Sequence, residues 1–168
     1  MSFNFGCCCP PVIRPRRFIE VLPPPIPSVI PTGLQVQLVG DEETETIING
    51  ANVLFDSIVT NLSPNILYNP TTGVFTVMKT GIYIIDWWIN IDDIEEETSV
   101  LFNIVTSTGA SIGASSPEGV TVIQLKGDAL ISMPAGTTFS LVNNTGTTVD
   151  LADSPVQADL RVVRVDTI

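Results

Sequence analysis

Three cysteines stand side by side at Cys7, Cys8 and Cys9, and the rest of the chain contains none. Adjacent thiols rarely bridge one another, so an odd cluster near one end reads as intermolecular crosslinking or anchoring. Two other readings stay open: incidental free thiols, and zinc ligation, for which no partner set of His or Cys is at hand. Histidine is absent throughout, which removes the commonest general base and the commonest metal ligand. The acidic clusters Asp41-Glu42-Glu43-Thr44-Glu45 and Asp92-Asp93-Ile94-Glu95-Glu96-Glu97 carry the oxygen ligands calcium wants. Neither has the spacing of an EF-hand loop, and each falls between expected strands, where a solvated loop is the alternative. No P-loop, dinucleotide-binding glycine pattern or Gly-x-Ser-x-Gly elbow occurs, and nothing selects a carboxylate pair for glycosidase chemistry. We therefore assign no catalytic residue, metal ligand or cofactor, and expect a protein that is not an enzyme.

What the chain offers instead is a segment suited to contact. Eight of its 13 prolines precede Thr32. Proline fixes φ and removes a donor, so residues 1–33 form neither a helix nor a central strand and are read as an extended connector. Between the prolines Pro23, Pro24, Pro25, Pro27 and Pro31 stand Phe18, Ile19, Val21, Leu22, Ile26, Val29 and Ile30. Apolar side chains on a backbone that cannot fold over them mark a surface that docks on something else.

The remaining residues, 34–168, suffice for one domain with a core of its own. Charge is split unevenly: residues 1–32 hold Arg14, Arg16 and Arg17 against Glu20, whereas residues 33–168 hold 17 acids and 4 bases. A body this acidic argues against nucleic acid, and a basic arm suits the acidic body of a neighbouring copy. No apolar run approaches the roughly 18 residues of a membrane helix, so no membrane partner is expected. Met-Ser-Phe-Asn-Phe-Gly lacks the charged start and apolar core of a secretory signal, which leaves release on cell lysis as a route outward.

The body reads as all-β, with short alternating or β-branched runs separated by Gly, Asn, Asp and Pro. Strands are expected over residues 34–39, 51–60, 65–69, 73–78, 81–91, 98–106, 119–133, 137–143 and 157–166, and no helix. In the long run from Gly81 to Ile91, positions 82, 84, 88 and 91 are expected to share the core. Its near-continuous apolar character implies burial on both faces, by a partner subunit or an unusually thick core. Arg161 and Arg164, in the last strand, are solvated or pair with local carboxylates; an intersubunit salt bridge is the alternative.

Leu54-Phe55-Asp56-Ser57-Ile58-Val59-Thr60-Asn61, then Leu67-Tyr68-Asn69-Pro70-Thr71-Thr72-Gly73-Val74-Phe75-Thr76-Val77, then Thr80-Gly81-Ile82-Tyr83 resembles the complement globular-head and tumour necrosis factor family. Asn69 to Gly73 would make a turn, Phe75 would fill the core, and Gly81 would let the chain bend into the long strand. The resemblance implies a ten-stranded jelly-roll sandwich assembled as a homotrimer, with Tyr83, Trp87, Trp88 and Phe102 as candidate aromatic residues at the subunit contacts.

Leu22-Pro23-Pro24-Pro25-Ile26-Pro27-Ser28-Val29-Ile30-Pro31-Thr32-Gly33 is similar to the exosporium leader of the collagen-like spore glycoproteins of Bacillus. Those proteins place a collagen stalk between leader and head. This chain has no Gly-X-Y repeat, so the leader joins the head directly. The resemblance implies a subunit of the spore surface, in the exosporium or a thin appendage, made in the mother cell without a signal peptide. The expected assembly is head-to-tail, with each trimer's arms docked on the next trimer. Other exosporium or collagen-like spore proteins are possible partners, and a ligand- or glycan-binding head or an adaptor to another spore-surface protein are the alternative roles.

Overall fold

A computed structural model describes residues 1–3, 32–40, 45–62, 64–94, 99–120 and 122–165. Residues 4–31, and with them the arm and cysteine assignments, lie outside the described residues, as do most of the two acidic clusters. Among the described residues there is no helix, and the strands are β1 (Thr32–Leu38), β2 (Thr46–Ile47), β3 (Ser57–Asn61), β4 (Ile66–Asn69), β5 (Val74–Val77), β6 (Gly81–Ile94), β7 (Leu101–Thr106), β8 (Ser111–Ser115), β9 (Ile123–Met133), β10 (Thr138–Asn143), β11 (Val149–Leu151) and β12 (Ala158–Val165). They form two antiparallel sheets. The larger runs β2-β11-β6-β12-β1-β3, with β9 on the other side of β6, and the smaller runs β4-β5-β10-β7-β8.

The sandwich closes over side chains that alternate inward along each strand. Tyr83, Ile85, Trp87, Ile89 and Ile91 of β6 face Phe102 and Ile104 of β7, Phe139 and Leu141 of β10, and Phe75 and Val77 of β5, all buried. Phe75 stacks on Phe139 at 4.7 Å between ring centroids and meets Phe55 edge-on at 6.3 Å. Offset and edge-on pairs of this kind add to the burial of the rings themselves. Trp87 packs against Phe102 at 6.4 Å on the other side of the core.

The parity of β6 is opposite to the expected one. Ile91 enters the core, but Ile82, Ile84 and Trp88 point the other way, because the strand period of two sends the odd positions inward. Other boundaries shift too. Residues 51–56 form no strand beyond an isolated bridge between Asn52 and Val142, and the strand proper begins at Ser57. The expected 119–133 strand begins at Ile123, and β2, β8 and β11 were not anticipated.

Two glycines earn their places differently. Gly73 sits at φ +68° in the β4–β5 turn, where Asn69 O accepts from Gly73 N at 2.9 Å and Asn69 Oδ1 accepts from Thr71 N at 3.0 Å. Gly81, expected to permit a bend, instead makes room: a Cβ there would stand 2.6 Å from Arg164 Nε. The Arg164 guanidinium uses that room to donate from Nη2 to Thr80 O at 3.0 Å.

Candidate assembly face

Register across the larger sheet places the outward-facing residues of β1, β12, β6 and β9 in rows. One row is Gln37, Asp159, Trp88 and Lys126; the next is Gln35, Arg161, Asp86 and Asp128. Beyond them come Gly33, Val163, Ile84 and Leu130, and then Val165, Ile82 and Ser132. One half of the face is therefore charged and the other aliphatic. Leu130 is 68 % exposed, Ile84 38 % and Ile82 37 %, so the aliphatic half leaves apolar side chains uncovered side by side. A contiguous patch of that kind on a sheet marks a contact surface.

The charged half forms an open groove of about 540 Å³. Its base is organised by Asp159, only 7 % exposed, whose Oδ2 accepts from both Gln35 Nε2 and Gln37 Nε2 at 2.8 Å. A buried carboxylate must have such donors to replace water. Arg161 donates to Asp86 Oδ2 from Nη2 at 2.9 Å and from Nε at 3.3 Å, a cross-strand pair with both side chains roughly half exposed. The expected pairing of Arg161 with a local carboxylate is thus seen. Lys126 and Asp128 complete the rim from β9. This is an arrangement for hydrogen bonding and charge complementarity across a surface. Among the described residues no group of three His, Cys, Asp or Glu is placed to hold a metal ion.

Of the four aromatic residues expected at subunit contacts, only Trp88 lies on this outward face, where it is half-buried. Tyr83, Trp87 and Phe102 turn inward and are buried by their own chain. Trp87 is held there by Gly127 on β9: a Cβ at 127 would lie 2.4 Å from its indole ring. The outward residues Ile82, Ile84, Leu130 and Val163, together with Asp159 and its two glutamines, were missed. A signal for the β6 members was present: Asp86 and Asn90 share parity with Ile82, Ile84 and Trp88, and two polar residues on one parity mark the face away from the core.

No protein-family model matches the chain, and no curated protein sequence matches it. Solved structures do. The globular domain of zebrafish complement 1qA superposes with a TM-score of 0.61 at 13 % identity, covering 82 % of this chain and 99 % of that one. Eiger TNF from S. frugiperda gives 0.64 at 13 %, covering 82 % and 94 %, and murine APRIL gives 0.62 at 11 %, covering 80 % and 99 %. The fold is that of the C1q and tumour necrosis factor jelly-roll heads.

Proposed function

We propose that the protein is a structural subunit of a bacterial endospore surface filament or exosporium layer. Its heads assemble as homotrimers through the outward face of the larger sheet, and its N-terminal arms join each trimer head-to-tail to the next. The observation that carries this reading is the uncovered aliphatic half of that face on a C1q/TNF-type head, beside a groove already organised for polar contacts. Heads of this fold whose large sheet is apolar on both sides call for a partner on the outer one. The leader-like sequence of residues 22–33 supports the spore surface as the setting.

The arm has the reach and the composition for such a joint. At about 3.1 Å per residue in the polyproline conformation, residues 10–32 span up to roughly 70 Å. Docking five or six of its apolar side chains gives a gross term on the order of 10 kcal/mol before ordering costs, and three arms per trimer act together. Proline reduces the entropy lost on docking because the free segment is already stiff. Cys7, Cys8 and Cys9 would anchor the first unit or lock neighbours once oxidised. Negative-stain microscopy of the purified full-length protein alone tests the reading: fibres are expected, and removal of residues 1–31 is expected to leave trimers only. Fibres from the truncated protein would refute it.

A second reading draws on the groove itself, whose amides, carboxylates, guanidinium and indole suit a polyhydroxylated ligand. Glycan-array binding by residues 32–168 would favour a ligand-binding head. Burial of the groove in the trimer would exclude it.

A further inference from the structure

The larger sheet ends differently on its two sides. At one side β9 is 11 residues long and turns Lys126 and Asp128 outward, charged side chains of the kind that keep an edge strand from pairing with another chain. At the other side β3 is the last strand among the described residues, and Ser57 to Leu62 contain neither charge nor proline. Ile58 is 56 % exposed, Val59 49 % and Leu62 56 %. The register slips opposite Gln35 and Val36, so that Val59 is the extra residue of a bulge and two adjacent β-branched side chains both reach solvent. An uncharged, aliphatic strand with an open side is a template for one more strand.

We propose that this edge is the receiving site for residues 18–22 of a neighbouring copy, which add to β3 as an extra strand; the proposal rests on the arm-mediated assembly above. Between Pro10 and Thr32 the longest run without proline is Arg16 to Leu22. Only such a run supplies an uninterrupted row of backbone donors for a ladder. Phe18, Ile19, Val21 and Leu22 are also strand-forming residues, with Phe18 and Leu22 on one side and Ile19 and Val21 on the other. Arg16 and Arg17 open this run, just before Phe18, as the exposed Asp56 lies just before β3, so a parallel alignment brings opposite charges together.

The chain's own β3 is the wrong destination for its own residues 18–22. β1 begins at Thr32 and runs antiparallel to β3, and Leu62 N donates to Gly33 O at 2.9 Å, so the open edge starts beside the point where the arm enters. Residues 23–31 include five prolines. A spacer of that composition favours an extended path of up to roughly 28 Å, which disfavours a return of residues 18–22 to their own β3. A second molecule is the occupant this geometry selects.

The test uses full-length protein carrying Ile58→Lys and Val59→Lys, both on exposed positions. Trimers of unchanged mass and melting temperature are expected, with fibre length reduced at least tenfold. Hydrogen exchange on wild-type residues 32–168, with a synthetic peptide of residues 16–22 in excess, gives a readout independent of those substitutions: amides of residues 57–62 should slow at least tenfold. Wild-type fibres from the doubly substituted protein, or peptide protection elsewhere than β3, would overturn this site while leaving arm-mediated assembly intact. Concentration-dependent protection of β3 without peptide would also overturn it, in favour of edge-to-edge pairing of two bodies. Fibres from protein lacking residues 1–31 would instead refute the assembly reading itself.

Discussion

The outward faces of the two sheets have the same backbone pattern and distribute their apolar side chains differently. On the smaller sheet the residues pointing away from the core mix short polar side chains, Thr76, Thr138, Ser140, Asn103, Ser111 and Ser115, with Leu67, Val74, Leu101 and Val105. On the larger sheet the equivalent positions are Ile82, Ile84, Trp88, Leu130 and Val163, with a carboxylate drawn down to 7 % exposure beside them. Both faces belong to one sandwich and lean on one core. Among the described residues of the smaller sheet no cross-strand row sets two of its apolar side chains side by side, whereas on the larger sheet Val163, Ile84 and Leu130 share one row next to Val165 and Ile82, and that clustering supports the larger sheet as the proposed contact face.

The largest effect expected from breaking this contrast comes from charge on the aliphatic rows. Ile84→Asp with Leu130→Asp should convert the proposed trimers to folded monomers, because an unpaired carboxylate in a closed contact costs several kcal/mol, or roughly a thousandfold or more in affinity. Sedimentation equilibrium should show the mass fall to one third. Thr138→Asp with Ser140→Asp, the matched change on the smaller sheet, should leave mass unchanged and stability within about 0.5 kcal/mol. Dissociation by the second pair and not the first would reverse the assignment of the faces.

The next effect separates the inner side of the larger sheet from its outer side. Gly127→Ala places a methyl 2.4 Å from the buried Trp87 ring, so the ring or the strand must shift. Overpacking of this kind costs about 1–3 kcal/mol and should appear in denaturant unfolding of the monomeric Ile84→Asp, Leu130→Asp protein. The trimer affinity should not change. A loss of affinity with unaltered monomer stability would return Trp87 to the subunit contact.

The smaller sheet is expected to fail in its own way, by alkali. The Tyr68 hydroxyl accepts from Phe55 N at 2.7 Å and donates to Phe55 O at 3.0 Å, tying β4 to the irregular segment ahead of β3. Burial, opposed by the bond from the Phe55 backbone and reinforced by the nearby Asp56 carboxylate, pushes this phenol up to about 12 from its ordinary 10. The folded state thus holds the proton more tightly than the unfolded chain. The contribution is complete below pH 10 and is lost as pH rises from 10 to about 12. Tyr68→Phe should lower stability at neutral pH by about 1–3 kcal/mol and flatten this part of the alkaline profile, as read by thermal melts between pH 9 and roughly 12. An unchanged alkaline profile would show that the bond does not govern it.

These contrasts were only partly legible in the sequence. Alternation and turn residues announced an all-β sandwich, and Asn69 to Gly73 announced its turn, because Gly73 at positive φ leaves few other choices. β8, Ser-Ile-Gly-Ala-Ser, carries a single β-branched aliphatic, and β2 has only two residues, so neither gives a periodic signal. In β6 apolar residues occupy both parities, and the aromatic pair Trp87 and Trp88 straddles them. Hydrophobicity alone therefore fixes neither which face is the core nor which tryptophan points outward; the side taken by Asp86 and Asn90 does. Asp159 was illegible because its significance depends on Gln35 and Gln37, more than a hundred residues away in the chain and adjacent only once β1 pairs with β12.

The smallest effect concerns the boundary between the two halves of the assembly face. Arg161→Gln removes a pair whose side chains are 57 % and 41 % exposed in the single domain, and such pairs are worth about 0–1 kcal/mol. In the monomeric Ile84→Asp, Leu130→Asp background, unfolding should therefore change by less than about 1 kcal/mol. In the trimer the outcome depends on how far the contact extends across the rows. If the groove row is covered, Asp86 is left without its partner where water no longer reaches it, and the trimer affinity falls by more than the monomer stability does. Equal, small effects in both states would confine the contact to the aliphatic rows and leave the charged groove open at its margin. Comparing the two measurements thus locates the edge of the subunit contact to within one row of the sheet.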